Sequence, residues 1–212
     1  MNRDAMELKT PTPDGLRLET PTPDELRLAY DRDLAEAFPP QELKPLKHIE
    51  RMTQRGLYYP LCLYDGGETI GECFLWAGRP GWLLLDYLCV TRTRRNAGLG
   101  AYLLDAMRAR FPDSVIIGET EVPDYAPNPP MAARRLAFYR RNGAVMTGIE
   151  ADIFGVRYHI ICWSAAPRPD DEIQSEYADI YRSSFTPDKY ERYIKIPRPA
   201  SADRPTPIAW EA

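Results

Sequence analysis

No stretch of the 212-residue sequence comes near the ~20 apolar residues that a membrane span requires. The opening residues, Met1-Asn2-Arg3-Asp4, are not followed by the hydrophobic run of a secretory signal. An excess of positive charge is also missing: a net charge of −4 offers no basic surface for nucleic acid. Histidine is scarce, and neither His48 nor His159 has a serine or cysteine motif around it, so neither is a candidate for nucleophilic chemistry. Cysteine is limited to Cys62, Cys73, Cys89 and Cys162, each inside an apolar strand-like segment and without Cys-x-x-Cys spacing. That pattern argues against a metal site and predicts buried, reduced thiols in a cytoplasmic protein.

What remains has room for one well-buried domain with appendages. Residues 1–19 read as an N-terminal extension, 20–165 as the main domain, 166–196 as a C-terminal helical extension and 197–212 as a loose tail rich in proline. A near-duplication, Thr10 to Leu18 and Thr20 to Leu28, is too short for a repeat architecture. Its first copy is either an echo or an extra strand. The second leads into a helix that starts near Thr22 or Asp24 and carries Leu26, Tyr30, Leu34 and Phe38 on one face. A short helix follows over Leu46–Arg55.

Three strand signals come next, Leu57–Leu63, Thr69–Leu75 and Trp82–Val90, joined by the turns Asp65-Gly66-Gly67 and Gly78-Arg79-Pro80-Gly81. They predict an antiparallel meander. A helix from about Gly98 carries Leu99, Leu103, Met107 and Phe111 four residues apart. It leads to a strand over Ser114–Glu121, expected to run parallel to the one before the helix. A proline-rich loop over Pro123–Pro130, a helix ending at Asn142-Gly143, and strands at Ala144–Gly148 and Val156–Ser164 complete the pattern. The expected fold is α/β: a mixed, mostly antiparallel sheet with helices on both faces, plus a C-terminal helix bearing Ile173, Tyr177 and Tyr181 on one side.

The densest chemical signal is Val90-Thr91-Arg92-Thr93-Arg94-Arg95-Asn96-Ala97-Gly98-Leu99-Gly100. Glycines allow close backbone approach, and the first free N–H groups of a helix attract phosphate. Arg92, Arg94 and Arg95 add positive charge beside that helix end. A dinucleotide motif, Gly-x-Gly-x-x-Gly/Ala, fails at its third position, which is Leu103, although Glu119 and Glu121 stand where a ribose-binding acid would.

The alternative pattern, Arg/Gln-x-x-Gly-x-Gly/Ala, is met by Arg95, Gly98 and Gly100. Together with Arg134-Arg135-Leu136-Ala137-Phe138-Tyr139-Arg140-Arg141-Asn142-Gly143-Ala144 downstream, it resembles the GNAT superfamily of N-acetyltransferases over roughly residues 20–165. The resemblance implies a GNAT-like fold that binds acetyl-CoA and transfers its acetyl group directly to a primary amine. The pyrophosphate would sit on Arg95, Asn96, Ala97, Gly98, Leu99 and Gly100. The pantetheine arm would pair with the main chain of Leu88, Cys89 and Val90 where that strand splays from its neighbour.

The resemblance also points to Tyr139 as the residue beside the departing thiolate, a phenol of ordinary pKa near 10 against about 8.5 for a thiol. The bland alternative makes Phe138 and Tyr139 the core face of a helix. Strand alternation puts Leu84, Asp86 and Leu88 on one face, and related enzymes often carry Glu or His at the positions of 84 or 86. With leucine at 84, Asp86 is the candidate base or proton relay. A carboxylate in an apolar strand is costly unless functional or paired, so an ion pair with an arginine carries equal weight, and a water chain ending on Asp86 or Glu119 is a third option. Glu119 and Glu121 share a face and would favour a cationic acceptor, or else form a solvated strand end. Arg134 and Arg135 stand either at the surface or against cofactor phosphates, with Arg135 taken as a ligand. The acceptor is open among small polyamines, amino-sugar antibiotics, amino acids and protein N-termini, and transfer of an acyl group larger than acetyl is a second rival. The C-terminal helix would cover the acceptor pocket or pack against a second copy in a homodimer. A non-catalytic acyl-CoA sensor is the rival of another class.

Overall fold

The computed structural model describes residues 15–40 and 42–200. Most of the N-terminal extension, with the start of the duplicated segment, and residues 201–212 of the tail lie outside the described residues. The remainder of the first duplicate forms strand β1 (Arg17–Glu19), the edge of an eight-stranded sheet ordered β1-β2-β3-β4-β5-β7-β6-β8. The second duplicate opens helix α1 (Pro23–Ala29) with a capping box, in which Thr22 and Glu25 satisfy each other's backbone N–H groups. A wider π turn (Tyr30–Leu34) follows, and then one turn of helix, α2 (Ala35–Ala37). The expected helical face holds: Leu26 and Leu34 are buried, and Tyr30 and Phe38 pack against the same core.

Helix α3 (Leu46–Gln54) leads into the meander β2 (Tyr58–Asp65), β3 (Glu68–Ala77) and β4 (Trp82–Val90). Gly66 and Gly67 take the left-handed φ values of 56° and 94° that the β2–β3 turn requires. Helix α4 (Leu99–Arg110) crosses to β5 (Val115–Glu121), which pairs parallel to β4 as expected. Every other strand pair among the described residues is antiparallel.

Three features depart from the sequence reading. Pro129 and Pro130 are not loop: they open helix α5 (Pro129–Arg141), where their missing N–H groups cost nothing, and Asn128 caps the end through Met131 N–H at 3.2 Å. Strand β6 (Val145–Ile153) runs five residues beyond the expected Gly148 before turning into β7 (Val156–Trp163). After α6 (Asp170–Arg182) comes a second helix, α7 (Pro187–Tyr193), and a short strand β8 (Ile194–Lys195) that joins the sheet beside β6.

Two cores sandwich the sheet. One packs α1, α3 and α6 through Leu26, Ile49, Met52, Ile173 and Tyr177. The other packs α4 and α5 through Leu103, Leu104, Met107 and Tyr139. All four cysteines are free and buried, and no helix among the described residues is long and apolar enough to cross a membrane.

Candidate active site

Strands β4 and β5 pair only from Trp82↔Val115 to Leu85↔Gly118. Beyond that point each continues without the other, so the β5-facing edge of residues 86–90 has no strand partner among the described residues. The parting coincides with a bulge in the β3–β4 register, where Phe74 faces Tyr87 but Leu75 faces Leu85. Leu84 therefore shares the α1/α3/α6 face with Tyr87 and Cys89, while Leu85 and Leu88 pack on the α4/α5 face. Simple alternation, which grouped Leu84 with Leu88, is overturned by the extra residue, and that residue is Asp86.

A cavity of about 590 Å³ fills the fork between the strands, running from Asn96 and Gly100 at one end to Glu42 and Tyr158 at the other. At the first end lies the uncapped N-terminus of α4. Gly98 precedes it with φ 80°, a left-handed value suited to glycine, and Asn96 takes φ 66°. Gly100 lets α5 approach: a Cβ there would stand 3.2 Å from the Phe138 ring. Arg95 donates from Nε to the Val90 carbonyl at 3.0 Å, tying the loop to the end of β4.

The three arginines divide their work. Arg92 and Arg95 flank Glu36 at 3.7 and 3.9 Å, beside the loop. Arg94 turns away and pairs with Asp65 at the β2–β3 turn. The expectation that all three stand at the helix end is thus corrected, since one is spent on bracing the hairpin. The loop is also held from below by the π turn. Buried Asp33 accepts from Thr91 Oγ1 at 3.2 Å, and Arg32, paired to Asp33 at 2.5 Å, donates to the Thr69 carbonyl at 2.7 Å.

At the other end, Asp86 is fully occupied. Its Oδ1 pairs with Lys44 Nζ at 2.5 Å and its Oδ2 accepts from the Tyr58 hydroxyl. Lys44 also lies over the Trp76 ring, 4.6 Å from its centroid. The ion pair foreseen for Asp86 exists, but with a lysine from the loop before α3 instead of an arginine. Across the fork, Glu119 lines the cavity and accepts from the Tyr177 and Tyr181 hydroxyls on α6, the latter at 2.7 Å. Burial pushes its carboxyl above the ordinary carboxylate range, and the two tyrosine hydroxyls hold it down only in part. Glu42 has its carboxyl pushed up to about 7 by burial, reinforced by Glu121. Tyr139 lines the cavity, its hydroxyl without a partner among the described residues and its pKa raised to about 12 by burial.

No family sequence model matches the chain, and no curated protein matches it. Solved structures do match. A protein assigned to the GNAT acetyltransferases, from Bacteroides thetaiotaomicron, superposes with a TM-score of 0.61 at 21% identity, over 76% of this chain and 94% of that one. This chain has the GNAT fold. A ribosomal-protein-S18-alanine N-acetyltransferase from Escherichia coli has the same fold at TM-score 0.52 and 18% identity, over 72% of this chain and 97% of its own. So does a spermidine N-acetyltransferase chimera of Vibrio cholerae and hSSAT, at 0.54 and 12%, over 70% and 94%.

Within this GNAT fold, the cavity gathers Asp86, Leu88, Cys89, Val90, Arg95, Asn96, Gly100, Glu119, Arg135 and Tyr139 from the expected site residues. Ala97, Gly98 and Leu99 shape the loop just outside its lining. Glu121 stands apart: its Oε2 pairs with Arg135 at 3.0 Å, so one expected acceptor contact neutralises one expected phosphate ligand. Cys89 donates its thiol to Glu72 at 2.8 Å, and burial raises its pKa, which leaves it an inert core thiol. Sequence reasoning missed Glu42 and Lys44. They sit in an aperiodic loop, and nothing local indicates that the Tyr87 hydroxyl clamps it, accepting from Lys44 N–H at 2.8 Å and donating to the Glu42 carbonyl at 2.9 Å.

Proposed function

We propose that the protein is an N-acetyltransferase that moves the acetyl group of acetyl-CoA directly to a primary amine. The observation that carries this reading is the fork: an unpaired strand edge at residues 86–90 leads from an uncapped helix N-terminus to a partly buried carboxylate. Free N–H and C=O groups along Leu88–Val90 suit the amides of a pantetheine arm, which would lie there as a short added strand. The N–H groups at the start of α4, with Arg95 beside them, suit a pyrophosphate. Acetyl-CoA, when bound, supplies an activated thioester.

Glu119 is the general base in this reading. Its raised pKa brings it nearer to the amine proton it must take, and its second oxygen makes no hydrogen bond among the described residues. Asp86, with both oxygens engaged by Lys44 and Tyr58, is a positioning residue that fixes the bulge. Tyr139, neutral throughout the physiological range, gives its phenolic proton to the sulfur as the C–S bond breaks. The spermidine and ribosomal-protein enzymes that share the fold act on amines by their names, which agrees with an amine acceptor.

The test is thermal unfolding with acetyl-CoA, ATP and NAD, followed by thiol release across an amine panel. A ligand at 100 times its Kd adds about 2.7 kcal/mol, a shift of roughly 5–11 °C for a chain of this size. A shift with acetyl-CoA and thiol release with an amine support the enzyme. Binding without transfer to any amine favours a sensor.

A further inference from the structure

The acceptor half of the cavity carries more acid than one attacking amine can use. Asp86 is neutralised by Lys44, and Glu121 by Arg135. Glu42 and Glu119 remain, both lining the cavity and neither in an ion pair with a cation among the described residues. Glu119 has the chemistry of the fork to serve. Glu42 does not: it lines the cavity from the loop between α2 and α3.

That loop is a built feature. The Tyr87 hydroxyl clamps Glu42 and Lys44 through their backbones, and the Tyr30 hydroxyl donates to the Lys44 carbonyl at 2.9 Å. A partly buried carboxylate that lines a cavity, hydrogen-bonded to Tyr158 but in no ion pair among the described residues, is costly when ionised, and the cost is recovered when a cation arrives. The neighbouring walls suit such a cation. Phe38, Phe154 and Tyr158 surround this end with aromatic surface. Phe154 is kept at a left-handed φ of 47° by stacking on Tyr193, rings 5.3 Å apart, and by donating its N–H to the Tyr193 carbonyl.

We infer that Glu42 is a specificity-determining residue that binds a second positive group of the acceptor, so that the preferred substrates are compact diamines or amines bearing a second cationic group. This rests on the amine-acceptor reading above. One amine, deprotonated through Glu119, attacks the thioester; the other stays charged against Glu42 and the aromatic wall. No bond to the second group changes, so the step consumes one thioester and one amine, giving one amide and one thiol.

The experiment compares putrescine with pentylamine, which has the same length but a methyl in place of the second ammonium. Equilibrium binding is measured with desulfo-coenzyme A present, so the result does not depend on turnover. The wild type is expected to bind putrescine at least ten-fold more tightly, Glu42→Gln to lose that preference and Glu42→Asp to keep most of it. Equal affinity for the two amines, absence of putrescine binding, or a preference that survives Glu42→Gln overturns the inference. Transfer is scored separately: selective binding without thiol release keeps Glu42 as a diamine site and removes the enzyme. An equal loss of transfer to both amines in Glu42→Gln, with binding unchanged, makes Glu42 part of the proton path and also overturns it.

Discussion

Tyr181 donates its hydroxyl to Oε1 of Glu119 across 2.7 Å, joining a helix near the end of the chain to the tip of β5. Tyr177 reaches the same oxygen. Through Tyr181 the helix α6 forms part of the cavity wall. Both hydroxyls stabilise the ionised carboxylate, so removing one raises a pKa that burial has already raised. A base works only when deprotonated, so the rate falls as pH drops through that pKa. Tyr181→Phe is expected to move the acidic limb of the kcat/KM profile to higher pH, with activity recovering under more alkaline conditions. An unmoved limb removes Glu119 as the base.

Tyr139 has a second set of contacts that make it part of the core, including the Trp163 ring 5.7 Å away. Tyr139→Phe keeps those contacts and deletes only the hydroxyl. A general acid contributes about 10²–10⁴ in rate, so kcat should fall toward that range while KM for acetyl-CoA and the melting temperature hold. A melting temperature that drops with little change in kcat assigns the residue to packing alone.

The loop after β4, proposed to hold the pyrophosphate, is expected to depend on Asp33, which touches Thr91 and Arg32 but does not line the cavity. Asp33→Asn weakens charged hydrogen bonds worth about 1.5–3 kcal/mol in general. The Kd for acetyl-CoA, read by calorimetry, should rise about ten-fold, with kcat at saturation little altered. A kcat loss at unchanged affinity counts against a positioning role.

Glu72 is fully buried, hydrogen-bonded to Cys89, and has its pKa pushed up to about 9 by burial, with Asp33 adding to the rise. The folded state therefore holds this proton while an unfolded chain, near the ordinary 4.5, releases it. The contribution to stability is full below the unfolded value and declines as pH rises toward about 9. Glu72→Gln removes that decline. Its melting temperature relative to wild type should increase steadily from pH 5 to pH 9, and parallel curves would refute the assignment.

Gly118, the last β5 residue paired with β4, leaves room for the β7 side chains: a Cβ there would stand 2.9 Å from the Trp163 ring and 3.1 Å from Ile161. Overpacking of this kind costs about 1–3 kcal/mol. Gly118→Ala should lower stability in urea by that amount and, by shifting the neighbouring Glu119, reduce transfer as well.

Local features were readable from the chain. Leu57–Leu63 and Trp82–Val90 announce strands because their apolar runs are bounded by glycine turns, and Gly98 marks the start of α4 because a left-handed residue is needed there. The bulge at Asp86 was hidden because Leu83-Leu84-Leu85 already breaks any alternation that an extra residue could disturb. Arg94 could not be told from its neighbours, since its direction depends on Asp65, 29 positions earlier. Glu42 and Lys44 acquire their meaning only from Tyr87 and Asp86, on a strand folded against them from more than 40 residues away.

The two ends of the fork come from different stretches of the chain. Residues 86–100 supply the strand edge and helix start, while Glu42 and Lys44 precede the meander and Tyr158, Tyr177 and Tyr181 follow β5. In the proposed function, donor handling and acceptor choice would therefore be written in separable segments. On that proposal the loop before α3 and the helix α6 form a natural unit to graft, and exchanging them together is expected to redirect selectivity while the middle of the chain stays as it is.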